Sequence, residues 1–326
     1  MSVPANTFQT FTQKNIREDL INAIYNVDPF KTPFLNMCKK TEAKQTNHEW
    51  NTDKLDAQNL NNAAVQGDDP TAQVLAPTAR IGNYTQISTK VVQISGTSQA
   101  VVAAGGSNKM GYQLLKKSKE LKRDMEGILT YNQAKTAGSS TVASLMAGLP
   151  AYLQQNVVFQ TGGSPSGANP SVAANGWTDG TSTRTYNGTT VALTETMIKN
   201  LVQSVFKSSG DCPEYALVSP ANKQVISGFA GPGTRFIKVD DKTLRTVVDV
   251  YETDFGDVKI IPDIFLAHSG DCFFINPNYV RVAYLRPFQT IPLAKTGDSD
   301  KKELLVEYTL EVGNEHALGL ITDTQG

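Results

Sequence analysis

Several features that would assign a chain to a chemical class are scarce in this sequence. Its 326 residues include 3 cysteines and 3 histidines. The cysteines Cys38, Cys212 and Cys272 are odd in number and far apart, which suits a reducing compartment better than a disulfide framework. No apolar run approaches the ~20 residues of a membrane span. Residues 1–15 lack the basic and then apolar pattern of a signal peptide. We therefore expect no membrane partner.

An excess of charge of one sign is also lacking. The 30 Lys and Arg residues nearly balance the 31 Asp and Glu residues, for a formal charge of -1. This balance argues against a dedicated DNA-binding protein, although a local basic face remains compatible with it. The apolar content of 40% supports a folded core and excludes global disorder. The length suffices for one large domain or two ordinary ones.

Catalytic and metal-binding patterns are missing as well. His48, His268 and His316 lie in three separate segments, and no serine or cysteine lies in a G-x-S-x-G motif. No C-x-x-C pair is present, and one cysteine near one histidine is too little for a zinc site. The kinase-like tripeptide at 254–256 lacks its companion motifs, so a hairpin turn is the better interpretation. We expect no catalytic residue, no cofactor and no metal, and hence no enzyme.

A long polar stretch, residues 47–95, is the most informative part of what is present. Residues 46–53 alternate as a strand, and residues 84–94 read as the return strand of a hairpin. Between them lies a segment rich in Asn, Gln, Asp and Ala with turn formers at 67–70. Two strands alone are marginally stable, and exposed strand edges invite pairing with another chain. We interpret the stretch as an arm completed by other copies; a hairpin packed on its own domain is the alternative.

A single long helix is predicted directly after the arm, over residues 107–137. Gly105 and Gly106 form a hinge before it, and Gly138 is a natural stop. Its length would be roughly 45 Å. One apolar stripe runs along it at helical spacing, formed by Met110, Leu114, Leu121, Met125 and Ile128.

The opposite side of this helix is basic, with Lys116, Lys119 and Arg123. Two interpretations stay open, a solvated surface or contact with the phosphates of packaged nucleic acid without base readout. Lys122 and Glu126 are spaced as an i,i+4 ion pair.

The rest of the chain divides into a low-complexity stretch and regular elements. Residues 160–190, rich in Gly, Ser, Thr and Asn, are predicted to be a surface loop or insertion rather than a core element, with Trp177 and Tyr186 as main anchors. A helix capped by Thr194 and ended by Gly210, a strand at 215–218 and a helix opened by Ser219-Pro220 follow. Strands are then predicted at 247–254, 257–261, 272–275, 279–285, 303–312 and 316–322.

The order of these elements resembles the major capsid protein of a tailed bacteriophage with the Hong Kong 97-type fold. Short stretches are similar to the head-protein family of SU-type podophages: Thr32-Pro33-Phe34-Leu35, His48-Glu49-Trp50, Gly82-Asn83-Tyr84-Thr85-Gln86, Lys119-Glu120-Leu121-Lys122-Arg123-Asp124, Gly148-Leu149, Asp254-Phe255-Gly256, Asn276-Pro277 and Arg286-Pro287. The resemblance spans nearly the whole chain, and the order and spacing of the stretches carry it.

The resemblance implies an α+β fold and a division into five parts. Residues 1–46 would be an N-terminal arm, 47–95 an extended β-hairpin loop, and 96–148 part of a peripheral domain whose spine helix is 107–137. Residues 149–264 would be an axial α/β domain with a variable insertion at 160–190. Residues 265–326 would return as strands to a β-rich peripheral domain.

The resemblance also implies a function and partners. The chain would be a major head protein that assembles with itself, as hexamers and pentamers, into an icosahedral or prolate shell around packaged double-stranded DNA. Trp50, Tyr84, Gly105 and Gly106 would lie at contacts between subunits. Because the arm begins within the first residues, a separate scaffolding protein is expected, along with a portal and decoration proteins. The chain would be located in the virion and assembled in the host bacterial cytoplasm.

Two other structural classes remain as alternatives. A bacterial encapsulin-type nanocompartment shares the fold, and another virion part, such as a tail tube, would have a smaller β-sandwich and no spine helix.

Overall fold

The computed structural model describes residues 31–69, 72, 75, 77–101, 109–159, 167–173, 176–229 and 250–325. The helices within these ranges are α1 (Pro33–Met37), α2 (Gly96–Ala100), α3 (Lys109–Leu129), α4 (Glu195–Ser209) and α5 (Pro220–Ser227). The strands are β1 (Lys39–Glu42), β2 (Asn47–Thr52), β3 (Ala79–Tyr84), β4 (Gln86–Ser95), β5 (Val157–Val158), β6 (Tyr215–Val218), β7 (Val250–Thr253), β8 (Gly256–Pro262), β9 (Cys272–Ile275), β10 (Val280–Pro292), β11 (Ser299–Val312) and β12 (Gly319–Ile321).

Two larger sheets and one two-stranded sheet organise these elements. The four-stranded sheet has the order β1-β10-β11-β4, and the six-stranded sheet the order β5-β12-β9-β6-β8-β7. The strands β2 and β3 form the antiparallel two-stranded sheet. Helix α3 packs against β4 and β11, whereas α4 packs against β12 and β5. Helices and strands are therefore mixed, as expected for an α+β chain.

Two apolar clusters form the core. The larger includes Leu121 and Met125 of α3 and Tyr308 of β11, all nearly inaccessible, and it extends to Leu217 and Phe273 of the six-stranded sheet. The smaller lies between α4 and the six-stranded sheet, around Leu201. The helices α3 and α4 each bury an apolar stripe in one cluster, which removes apolar area from water.

The spine helix α3 is shorter than predicted, because its last residue is Leu129 rather than residue 137. The helix ends just before two polar residues whose side chains form hydrogen bonds with distant parts of the chain. Asn132 exchanges two hydrogen bonds with the backbone of Arg184, and Gln133 Nε2 donates to the Met146 carbonyl at 2.6 Å. These tertiary contacts outweigh local helix propensity. Residues 107 and 108 lie outside the described part of the chain.

The prediction that residues 84–94 form the return strand of the hairpin was wrong. The partner of β2 is β3, which begins at Ala79, whereas residues 86–95 form β4 and pair with β11 in the four-stranded sheet. Thr85 separates β3 from β4, and its side chain donates to Glu307 Oε1 at 2.8 Å. A continuous strand pattern from 79 to 95 thus serves two sheets.

The predicted surface insertion at 160–190 is, in its described part, attached to the core at a few positions while many of its other residues are exposed. Trp177 belongs to the larger cluster, and Arg184 is 3% exposed. Arg184 Nη2 donates to the carbonyl of Leu153 at 2.6 Å. The stretch is therefore a surface segment with buried anchors, of which Trp177 was predicted and Arg184 was not.

Most remaining elements are confirmed. Thr194 caps α4 through Met197 N, and Gly210 ends it with φ 78°. Residues 250–253 and 256–262 form the predicted hairpin. Strand β10 is longer than predicted and irregular around Pro287, which is expected since proline interrupts a ladder.

Candidate assembly surface

The segment between β2 and β3, residues 53–78, exposes an unusual amount of apolar surface. We call its described residues the loop tip. Four large apolar side chains within it are almost fully exposed: Leu55 (96%), Leu60 (85%), Val65 (76%) and Leu75 (88%). A side chain of this size gains roughly 1.5–3 kcal/mol on burial. So many exposed apolar groups on one segment are typical of an interaction surface, which makes the loop tip the candidate for contact between copies.

The base of the hairpin is held by a buried amide. Asn83 on β3 is 0% exposed. Its Nδ2 donates to the carbonyls of Ala147 (3.1 Å) and Leu310 (2.9 Å), and its Oδ1 accepts from Ala147 N at 2.8 Å. One side chain thus joins the hairpin to the loop at 145–148 and to β11.

A second set of contacts converges on the carbonyl of Gly82. Lys135 Nζ donates to it at 2.8 Å and the Tyr152 hydroxyl at 3.3 Å. Desolvation lowers the pKa of Lys135, with Asp179 and Glu49 opposing. The hairpin therefore leaves the domain from a fixed base, while its tip has only local hydrogen bonds such as Asp68 N to Val65 O.

Two acidic residues on β11 connect the hairpin to the four-stranded sheet. Glu311 accepts from Arg281 Nη1 at 2.8 Å and lies 3.1 Å from His48 Nε2. Glu307 pairs with Arg286 Nε at 2.7 Å. A hydrogen bond from His48 and the charge of Arg281 lower the pKa of Glu311 against the opposing effect of burial, which is the largest single influence.

The predicted contact residues lie at this base and not at the tip. Trp50 packs against the larger core cluster, with its ring centroid 6.0 Å from that of Tyr152. Tyr84 is half-buried at the end of β3. Their role as anchors between subunits stays a prediction, and the contacts of Trp50 are with its own chain. Gly105 and Gly106 lie outside the described residues.

The basic side of α3 is partly occupied by contacts within the chain. Lys116 is exposed and Lys119 half-buried. Arg123 lies over the Phe265 ring at 5.2 Å. Lys122 lies near the Phe288 ring rather than pairing with Glu126, which is buried. The predicted i,i+4 ion pair was therefore wrong, and the DNA-facing role of Lys116, Lys119 and Arg123 stays a prediction.

Sequence reasoning missed the buried polar residues that join the elements. Besides Asn83, Glu315 accepts from Thr178 Oγ1 at 2.8 Å and Gln154 N at 3.2 Å. Burial raises the pKa of Glu315 to about 7, although its hydrogen bonds oppose the rise. No sequence signal could distinguish these residues from surface polar residues, because their partners are distant in the chain.

The described ranges bear on the expectations for metal ligands, membrane spans and cysteines. Within them, no group of three or more His, Cys, Asp or Glu side chains is placed to hold a metal ion. No described helix has the length and apolar content to span a bilayer. The three cysteines are free.

Known proteins resemble this chain over its whole length. A sequence profile of the SU10 major capsid protein family matches residues 3–325. A major capsid protein of Escherichia phage Phieco32 is 25% identical, over 98% of this chain and 97% of that protein.

Solved capsids share the fold at low identity. A chain of the cyanophage A-1(L) capsid asymmetric unit superposes with a TM-score of 0.63 at 13% identity, covering 98% of this chain and 100% of the other. A capsid chain of the native GTA particle gives 0.62 at 11%, with coverage of 98% and 100%. The SrpI encapsulin of Synechococcus elongatus PCC 7942 gives 0.53 at 12%, with coverage of 93% and 92%.

These matches decide between the structural classes left open by the sequence. The encapsulin shares the fold alone, whereas the profile that spans the chain describes a phage capsid family. The chain belongs to the SU10 major capsid protein family and has the Hong Kong 97-type α+β fold, and it is a phage major capsid protein.

Proposed function

We propose that copies of this chain build the head shell of a tailed phage by laying the loop tip across a neighbouring copy. The observation that carries the proposal is the exposure of Leu55, Leu60, Val65 and Leu75 on a segment whose base is rigidly bonded to its own domain. A fixed base sets the direction of the tip, and the exposed apolar groups supply the area that a stable contact needs.

The proposed assembly is head-to-tail, since the tip and the surface that it covers are different parts of the chain. Such contacts close into rings, here of six and five copies. The division into arm, extended loop, peripheral and axial domains, with boundaries at residues 46, 95, 148 and 264, belongs to the same proposal.

Further partners are proposed from the role of a head shell. They are a separate scaffolding protein, a portal, decoration proteins and enclosed double-stranded DNA, the last held by non-specific phosphate contacts. The work of the chain is structural and not catalytic. Assembly would take place in the cytoplasm of the host, and the product is part of the virion.

The test replaces the four apolar tip residues by serine in one chain. Because these side chains are exposed in the subunit, the free energy of unfolding should stay within about 0.5 kcal/mol of the wild type. Shell formation should fall at least tenfold by electron microscopy and sedimentation. The matched control changes Gln58, Asn59, Asn61 and Asn62 to serine in the same tip. Normal shells from the apolar variant would disprove the tip's role.

A further inference from the structure

A buried carboxyl group lies at the joint between α1 and the spine helix. Glu126 on α3 is 0% exposed. Its Oε1 accepts from Phe34 N at 2.6 Å and its Oε2 from Leu35 N at 2.8 Å. These amides belong to the first turn of α1, where Thr32 provides no side-chain cap. Glu126, which is distant in sequence, therefore accepts hydrogen bonds from backbone N–H groups that have no partner within the first turn of a helix.

A second buried carboxyl group faces the first. Asp263 follows β8, is 1% exposed, and lies within hydrogen-bonding reach of Glu126. Its Oδ1 accepts from Phe265 N at 2.9 Å. Its Oδ2 is buried and has no donor among the described N–H and O–H groups. Burying a carboxylate oxygen without a hydrogen-bond donor costs free energy. A proton on one of the two carboxyl groups would supply the missing donor.

The charges around the pair favour one retained proton. Two ionised carboxylates side by side in an apolar setting repel each other and lose hydration. Among the described residues, the charged or titratable groups that act on the pair are the two carboxyls themselves and the thiol of Cys38, just after α1, and neither carboxyl has a cationic partner there.

The direction of titration agrees with this geometry. Burial first, and then the charge of Asp263, raise the pKa of Glu126 to about 8 against the two backbone N–H donors. Burial also raises the pKa of Asp263, and the hydrogen bond with Glu126 opposes that rise. Both carboxyl groups are shifted toward their protonated form, which agrees with one proton held between them.

We propose that Glu126 is a neutral carboxylic acid at pH 7 that donates its proton to Asp263 Oδ2 while its oxygens cap α1. The shared proton joins three parts of the chain: the entry helix α1, the spine helix α3 and the end of β8. None of the residues named in the joint belongs to the loop tip.

The joint is pH-sensitive in a defined direction. A carboxyl group that binds its proton more tightly when folded stabilises the fold fully below its unfolded pKa. That contribution is lost as the pH rises through the folded pKa. The attachment of α1 to α3 therefore weakens between about pH 4.5 and about pH 8.

Infrared difference spectroscopy of the full chain tests the protonation state. At pH 7, the spectrum of the wild type minus that of Glu126→Gln should contain the carbonyl band of a protonated carboxylic acid, and this band should disappear above pH 9. Absence of the band at pH 7 would overturn the proposal. The control is Glu120→Gln on the same helix, where a hydrogen bond from Lys117 lowers the pKa of the carboxyl, so that no such band is expected.

Thermal unfolding provides a second readout. The unfolding midpoint of the wild type should fall more steeply between pH 5 and pH 9 than that of Glu126→Gln, while Glu315 contributes equally to both. Equal slopes would overturn the proposal. If Glu126→Gln does not fold, Asp263→Asn serves instead, because removing the facing charge should shift loss of the Glu126 band to lower pH. An unchanged titration of that band in Asp263→Asn would equally overturn it.

Discussion

Single buried polar residues hold the distant parts of this chain together. Asn83, Glu126, Arg184 and Glu315 each connect segments far apart in the sequence. Each satisfies backbone groups that would otherwise be buried without partners, which makes the loss of the side chain more costly than one ordinary hydrogen bond. Precise joints of this kind suit a subunit whose projecting hairpin must leave the domain in one direction.

Replacing Asn83 by alanine should destabilise the subunit by about 3 kcal/mol, since the Ala147 N–H and the Ala147 and Leu310 carbonyls lose their side-chain partner. Denaturant unfolding of the subunit measures the change. The control is Asn61→Ala in the exposed tip, which should change the free energy of unfolding by less than about 0.5 kcal/mol. Similar effects at the two positions would contradict the role assigned to the Asn83 amide.

Among the elements, the turn that ends the spine helix depends on close contact between the backbones of Tyr131 and Gly148. A Cβ atom at Gly148 would lie 1.9 Å from the Tyr131 carbonyl oxygen. Glycine is required at position 148 because any side chain would collide with the turn that follows α3. Gly127, inside α3, is different, since a Cβ there would meet Phe265 O at 3.7 Å, an ordinary contact.

The two glycines make a matched pair. Gly148→Ala should destabilise the subunit by about 2 kcal/mol or more through the backbone clash. Gly127→Ala should stabilise it by roughly 0.5–1 kcal/mol, because alanine loses less conformational freedom than glycine in a helix. Thermal and denaturant unfolding measure both. A stable Gly148→Ala subunit would show that the turn after α3 does not need the close contact between Gly148 and the Tyr131 carbonyl.

At the scale of the whole molecule, the proposed function gives the loop tip and the rest of the subunit different tasks. Neither core cluster contains a described residue of 53–78, and the large apolar side chains described there are exposed. The proposal therefore predicts that folding and assembly are separable in this chain.

Deleting residues 58–76 should leave a soluble subunit with nearly wild-type unfolding behaviour that fails to form closed shells. A shorter loop lowers the entropic cost of loop closure slightly, and none of the described residues that are removed belongs to a core cluster. Sedimentation and electron microscopy of the purified chain give the outcome. Closed shells of normal size from the deleted chain would refute the division of tasks.

Local patterns in the amino-acid sequence predicted the class of the molecule and many of its elements. Helical periodicity located the spine helix, and Thr194 and Gly210 marked both ends of α4. A short apolar run identified β6, the turn at 276–278 marked the end of β9, and strand alternation identified most of β11, because these signals depend on neighbours in the chain. The order of the elements also sufficed to recognise the capsid family.

The positions of the polar stretches depend on contacts between segments that are distant in the sequence. It ended α3 at Leu129, divided residues 79–95 between two sheets, and placed Trp177 and Arg184 in the interior. It also paired Glu126 with α1 and Asp263 instead of with Lys122. In each case the deciding partner is distant in sequence, and a polar side chain shows no sign in the sequence of whether water or a buried backbone group will satisfy it.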